Sequence, residues 1–316
     1  MSKLIRLLSI QTGLTEQDVE RIINRAPDTY KSYTIPKRNG KGNRVISQPA
    51  REVKVLQRVL TERLRSLPIH DAAMAYRKGI SIRANALKHA QNGPIRKYDF
   101  ESFFPSIKGL DWEQYCLQNP VFSDPEDILR SINLFFHRAK RHNVLRLAIG
   151  APSSPWLSNV VMFEFDDAVS RAVAKDRVTY TRYADDLTFS APRTGHLTVV
   201  DDIVRKAIRN IQCPRLKLNE AKTTVATKKY RRVVTGLILA DDGEVSIGRD
   251  KKRLVRAEVH HALTIGVGWE KADKLLGYIA HVRSVEPSFY YRLLAHYGED
   301  FEARVRAKNG PPVFDL

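Results

Sequence analysis

Residues 178–190 read Val-Thr-Tyr-Thr-Arg-Tyr-Ala-Asp-Asp-Leu-Thr-Phe-Ser, and how this stretch folds decides the architecture. Both flanks are rich in β-branched and aromatic residues, which suit a pleated, half-buried surface. Between them only Ala184, Asp185 and Asp186 suit a turn, so the pattern predicts a β-hairpin. Successive side chains on a regular strand point to opposite faces, so only a bend can aim two adjacent carboxylates at one place. Such a pair suits a divalent cation.

Other Asp-Asp pairs in the chain show how ordinary the dipeptide is. Asp201 and Asp202 open a segment whose apolar residues Val200, Ile203, Val204, Ala207, Ile208 and Ile211 recur at helical spacing, where acids favour the positive end of the helix dipole. Asp241 and Asp242 precede Gly243 and read as a turn. Asp166 and Asp167 fall in a helical stretch and are expected to be solvated. Only the 185–186 pair is framed by two strand-forming runs.

A chain of 316 residues with 43% hydrophobic content can bury two or three subdomains. Its formal charge of +18 calls for a polyanionic partner, nucleic acid being the most economical choice and a membrane surface the rival. No apolar run approaches the ~20 residues that span a bilayer, and the N-terminus lacks the long apolar core of a signal peptide, so a cytoplasmic location is expected. Cys116 and Cys213 stand alone, which indicates neither a zinc site nor a disulfide framework.

Upstream, Thr15 with Asp18 resembles a capping box and opens a short helix with Val19, Ile22 and Ile23 on its apolar face. Residues 34–49 form a basic Asn-Gly turn between two strand-like pieces. Lys37, Lys41 and Arg44 would project from that hairpin, either as a solvated basic loop or as a clamp on phosphates. A helix is predicted from Arg51 to Leu67, ended by Pro68. Asp99 sits where a strand breaks into a turn; an acid there can be a helix N-cap. Residues 108–146 read as mostly helical with a basic cluster at 137–142, whose histidines are read as surface charge or backbone contacts. Gly150, in a loop with two prolines, would let backbone approach a ligand closely. Near the C-terminus Arg249, Lys252, Arg253, Arg256 and His260 share one helical stripe beside an apolar stripe of Val255, Val259, Ala262 and Leu263. One stripe packs and its neighbour can face a phosphate backbone.

Tyr183-Ala-Asp-Asp186 resembles the catalytic signature of reverse transcriptases. Asp99 at a strand end and Gly150-Ala-Pro-Ser-Ser-Pro155 precede it in the order of that family's palm motifs. Asn85-Ala-Leu-Lys-His89 and Val234-Thr-Gly236 resemble elements of the retron type. The chain departs from the family at Ala148-Ile149-Gly150, where Pro-Gln-Gly is usual, so a nucleotide contact at 149 is not carried over.

The resemblance implies an α+β right-hand polymerase fold. Its N-terminal helix and fingers would span 1–92, its palm 93–240 with an antiparallel sheet packed on helices and a fingers insertion at about 108–146, and its small helical thumb 241–316. It implies RNA-directed DNA synthesis with two Mg²⁺ ions held by Asp99, Asp185 and Asp186. Lys37, Lys41, Arg44, Phe104, Gly150 and Lys222 would meet the deoxynucleoside triphosphate, with Phe104 crowding a ribose 2′-hydroxyl and Lys222 near the leaving pyrophosphate. Asn85, His89, Val234, Thr235, Gly236, Arg249, Lys252, Arg253 and Arg256 would bind RNA. The implied partners are a structured noncoding RNA serving as template and primer, the RNA–DNA duplex, the branched RNA-linked DNA product (msDNA) and a separate effector protein in antiphage defence. No RNase H module is apparent. The competing expectations are an intron-encoded or phage-exclusion reverse transcriptase, or a noncatalytic RNA scaffold that sequesters an effector.

Overall fold

The structure is a computed structural model that describes residues 2–37, 40, 42–139 and 143–309. Lys41 and the 140–142 part of the basic cluster therefore lie outside the described residues. The chain falls into two compact units, one of Met1–Ile80, Arg96–Phe189 and Gly195–Val225, the other of Ser81–Ile95, Ser190–Thr194 and Ala226–Leu316. These units cut the chain differently from the boundaries expected at 92 and 240.

The first unit carries the predicted hairpin as strands Thr179–Tyr183 and Asp186–Ser190. They lie in a four-stranded sheet whose order continues through Ile95–Asp99 to Thr224–Ala226. Leu187 and Phe189 are fully buried in it, and Tyr98 meets Phe189 edge to face at 5.8 Å. Helix Phe163–Ala174 packs on the hairpin through Phe165, Val169 and Val173, which recur every fourth residue. The helix predicted from Val200 is present as Val200–Asn210 with Asp201 and Asp202 in its first turn. Asp201 also accepts hydrogen bonds from Arg96 at 3.0 Å, Tyr98 at 3.1 Å and Arg205 at 2.7 Å, tying helix to strand.

Thr15 caps helix Glu16–Arg25 by accepting from the Asp18 amide at 3.1 Å, as the sequence predicts. The basic hairpin pairs Tyr30–Pro36 with Asn43–Pro49 in antiparallel register from Tyr30↔Pro49 to Pro36↔Asn43. The next helix stops at Arg63, short of Pro68. His137, read as surface charge or a backbone contact, is buried and lies 5.0 Å from the Tyr30 ring, which removes the surface reading.

The second unit is helical apart from a three-stranded sheet of Val233–Val234, Leu237–Leu239 and Val245–Ser246. Helices Arg249–Thr264, Trp269–Val285, Pro287–Tyr297 and Phe301–Lys308 share a core that includes Val255, Val259, Ile279, Phe289 and Phe301. Val234 pairs with Leu237, so Thr235 and Gly236 are the two turn residues between them. Both have positive φ, 48° and 81°, as a type I′ hairpin turn requires. Here glycine is needed for its backbone freedom. Among the described residues no helix is long and apolar enough to cross a membrane.

Candidate active site

The hairpin tip is built from Ala184 and Asp185, between strands that end at Tyr183 and resume at Asp186. Ala184 has φ +58°, a region that residues with a Cβ seldom enter and that neighbouring structure must hold. Arg182 does so by donating from Nη1 to the Ala184 carbonyl at 3.1 Å. Arg182 is fully buried, and its other nitrogens grip Asp166, with Nη2 to Oδ2 at 2.6 Å and Nε to Oδ1 at 2.9 Å. Tyr180 adds a hydroxyl donor to Asp166 at 2.7 Å. Asp166 thus corrects the expectation of a solvated acid. It is 0% exposed and serves as the counter-charge that lets an arginine lie inside the sheet.

The strand bearing Asp99 delivers it to the same tip. The Phe100 amide donates to the Asp185 carbonyl at 3.1 Å, and the Asn219 amide donates to the Asp99 carbonyl at 2.7 Å. Asp186 and Asp99 lie close enough for each carboxylate to bear on the other. Burial, and then the Asp99 charge, raises the Asp185 carboxyl above the ordinary range. Burial first, then the Asp185 and Asp99 charges against the opposing pull of Lys97, raises Asp186 to about 6. Asp99, far upstream in the chain, therefore meets the adjacent Asp185 and Asp186, and the carboxyls of that pair are held above their ordinary range. Lys222 donates from Nζ to both Asp99 oxygens, at 2.7 and 2.8 Å, which places it beside the acids.

Among the described residues no three acidic, histidine or cysteine side chains stand grouped closely enough to hold a metal by themselves. The donor chemistry nevertheless fits magnesium, which takes hard oxygens, keeps water and leans on substrate phosphate to complete its shell. The Lys222 ammonium pairs with Asp99, and a raised carboxyl at Asp186 is what crowded, buried carboxylates produce. A carboxyl with a raised folded pKa holds more protons folded than unfolded, between its unfolded value near 3.9 and its folded value of about 6. Stability of metal-free protein should therefore decline through this window as pH rises. Asp186→Asn, which cannot ionise, is expected to melt above the parent protein in EDTA at about pH 7.5, with the gap narrowing toward about pH 5. An equal gap at both values would remove the linkage.

Around the acids, Phe103 is buried, whereas Phe104 is half-buried and faces Tyr76 at 6.2 Å. Arg44 and Lys37 are exposed on the basic hairpin, and Arg44 is close enough for its charge to act on Asp185. Gly150 allows a close approach of its backbone to the Asn43–Pro49 strand. A Cβ there would lie 2.9 Å from the Ser47 carbonyl oxygen, and the Ser47 amide donates to Ile149 at 2.8 Å. Nothing in the sequence points to Tyr76, while Arg182 carries one signal, a charge inside a run of strand-formers.

The expected RNA-facing residues divide. Asn85, His89 and Val234 are each 0% exposed, which corrects their assignment as side chains presented to RNA. His89 Nδ1 bonds Ser190 Oγ at 2.7 Å and Val234 belongs to the second unit's core. Thr235 donates to the Ile82 carbonyl at 3.2 Å, which holds its turn, and Gly236 has open space around it. Arg249, Arg253 and Arg256 are exposed along one helix. Lys252 is engaged by Glu286 at 2.5 Å.

Residues 35–279 match the reverse transcriptase (RNA-dependent DNA polymerase) family. The Escherichia coli retron Ec83 reverse transcriptase is 35% identical over 92% of this chain and 95% of its own length. The E. coli retron Ec73 enzyme is 31% identical over 95% and 96% of the two chains. The chain belongs to the retron reverse transcriptase family. It is an RNA-directed DNA polymerase with the α+β right-hand fold of that family. Among solved structures, telomerase from Candida albicans is 12% identical, with a TM-score of 0.46 over 96% of this chain and 64% of that one. In this reverse transcriptase the signature acids fall at the tip where three elements of the first unit converge.

Proposed function

We propose that this reverse transcriptase copies a dedicated structured noncoding RNA into branched, RNA-linked single-stranded DNA, starting from a guanosine 2′-hydroxyl, in the cytoplasm and as one component of an antiphage system with a separate effector protein. The observation that carries the catalytic part is the meeting of Asp99, Asp185 and Asp186 at one strained hairpin tip. Likeness to retron enzymes over nearly the whole chain supports the choice of substrate and product.

Nucleotidyl transfer needs a hydroxyl made nucleophilic near neutral pH and a leaving pyrophosphate whose charge is balanced. When bound, a pair of Mg²⁺ ions supplies both. Asp99, Asp185 and Asp186 would hold them. Lys222 neutralises Asp99 in their place and, once released, is free to approach the triphosphate. Arg44 and Lys37 bring positive charge from the basic hairpin to the same substrate, Arg44 by its planar fork. Lys41 would join them from outside the described residues. Phe104, half-open beside Tyr76, presents an aromatic edge where a 2′-hydroxyl would crowd it, which favours deoxynucleotides.

Purified protein supplied with RNA transcribed beside its gene, Mg²⁺ and deoxynucleotides tests this. DNA joined to RNA through a 2′ branch is the expected product. DNA made only from an added primer, with no branch on any RNA, would overturn the priming part.

Arg249, Arg253 and Arg256 are proposed to track the RNA backbone by shape and charge, since deep A-form major grooves admit side chains poorly. RNA affinity should fall linearly with the logarithm of salt concentration, and Arg249→Ala/Arg253→Ala should lessen that slope by roughly one to two. A titration whose affinity ignores salt would dispose of the electrostatic footing.

A further inference from the structure

Tyr76 has no counterpart among the motifs, yet three features set it apart. Its backbone has φ +61°, a conformation that costs energy for any residue with a Cβ. The residue is 48% exposed although Ala73, Met74 and Ala75 before it are 3% exposed or less. The backbone leading into it is pinned: the Met74 amide donates to the Arg182 carbonyl at 2.8 Å, and Asn159 Nδ2 donates to the Ala75 carbonyl at 2.8 Å. A large aromatic ring is thus held out of the core by a strained, rigidly anchored backbone. Relaxed packing would do the opposite.

What the ring faces identifies its partner. Phe104 lies 6.2 Å away at an interplanar angle of 50°, the outer end of an aromatic run through Phe103, Phe100 and Phe165 into the core. After burial, the charge of Asp185 is what raises the Tyr76 hydroxyl most, with Arg44 acting in the opposite sense. Tyr76 therefore lies against the phenylalanine proposed to sense the sugar, within range of the charges of the acid proposed to hold metal and the arginine proposed to hold triphosphate. The molecule on which those three proposed roles converge is the incoming deoxynucleotide.

We propose that Tyr76 is a nucleotide-binding residue whose ring, continuous with Phe104, carries the sugar and base of the incoming deoxynucleoside triphosphate. This rests on reading Asp99, Asp185 and Asp186 as the polymerase centre. Every base has a π-face, so the contact favours no base over another. The strained backbone keeps the ring from collapsing onto the core between cycles, and the platform is present before substrate arrives.

Single-turnover extension of a DNA primer on an RNA template, with each deoxynucleotide varied in turn, measures nucleotide Kd apart from the chemical rate. Tyr76→Ala is expected to raise Kd for all four nucleotides by roughly 5- to 150-fold, the range for loss of one stacking contact, with a smaller change in the rate at saturation. Tyr76→Gly, which suits a positive φ, should match the Ala variant in Kd while melting at least as high as wild type. Tyr76→Phe should restore tight binding. An Asp185→Asn arm separates the two ideas. If that variant keeps the wild-type rate, the reading of the centre fails and this proposal with it. If it is inactive while Tyr76→Ala and Tyr76→Gly leave Kd unchanged, or lower only the rate at saturation, the platform alone is overturned.

Discussion

Asp185→Asn should abolish DNA synthesis while leaving the protein folded and bound to RNA. Asparagine keeps the shape of aspartate and tolerates a turn, so the tip can form as before. The change removes a charge that burial and Asp99 already disfavour, and so it should not lower stability. What disappears is an anionic oxygen aimed at the reacting phosphates. Losing one preorganised electrostatic group of this kind costs on the order of 10³-fold in rate. Gel analysis of products, with melting temperature and RNA affinity measured on the same preparation, is the check. Synthesis at the parental rate would remove Asp185 from the chemistry and leave the hairpin tip a structural turn.

Arg182→Met is expected to be the most destabilising single change in the first unit. Arg182 and Asp166 are both 0% exposed and joined by a bidentate pair. Removing the cation leaves Asp166 buried with only the Tyr180 hydroxyl for company. Breaking such a pair from one side costs about 3–5 kcal/mol, because the remaining charge must be desolvated unpaired or must take up a proton. Replacing both partners, as in Arg182→Met/Asp166→Leu, should recover much of that loss, since an apolar pair carries no desolvation penalty. Activity should not recover with it. The Ala184 carbonyl loses its Nη1 donor in both variants, which loosens the positive-φ residue that turns Asp185 toward Asp99. Urea midpoints beside extension rates separate these effects. A double variant that regains both would show that Arg182 serves the fold alone.

Much of the first unit was legible because its signals are local. The hairpin around 184–185 follows from strand-formers flanking the sole turn candidates, and the cap at Thr15 and the helix from Val200 follow from spacing within a few residues. The same locality explains the failures. Asp166 reads as a surface acid on a helix because its partner lies on another element, and burial is a property of the pair. Asn85, His89 and Val234 match a motif, but their places in the second unit close them off from solvent. The helix stops at Arg63 although its apolar spacing continues to Leu64 and Pro68 lies further on.

The sequence by itself determined that a turn would carry paired carboxylates, that +18 of charge would seek a polyanion, and which family's motifs stand in which order. Those are facts of composition and short-range order. Only the tertiary structure decided that Asp99 reaches Asp186, that Lys222 neutralises Asp99, that Arg182 is buried beneath the tip and that Tyr76 is held in the open beside Phe104. Each depends on strand order and on which side chains are shielded from water, and both are set by contacts between residues far apart in the chain.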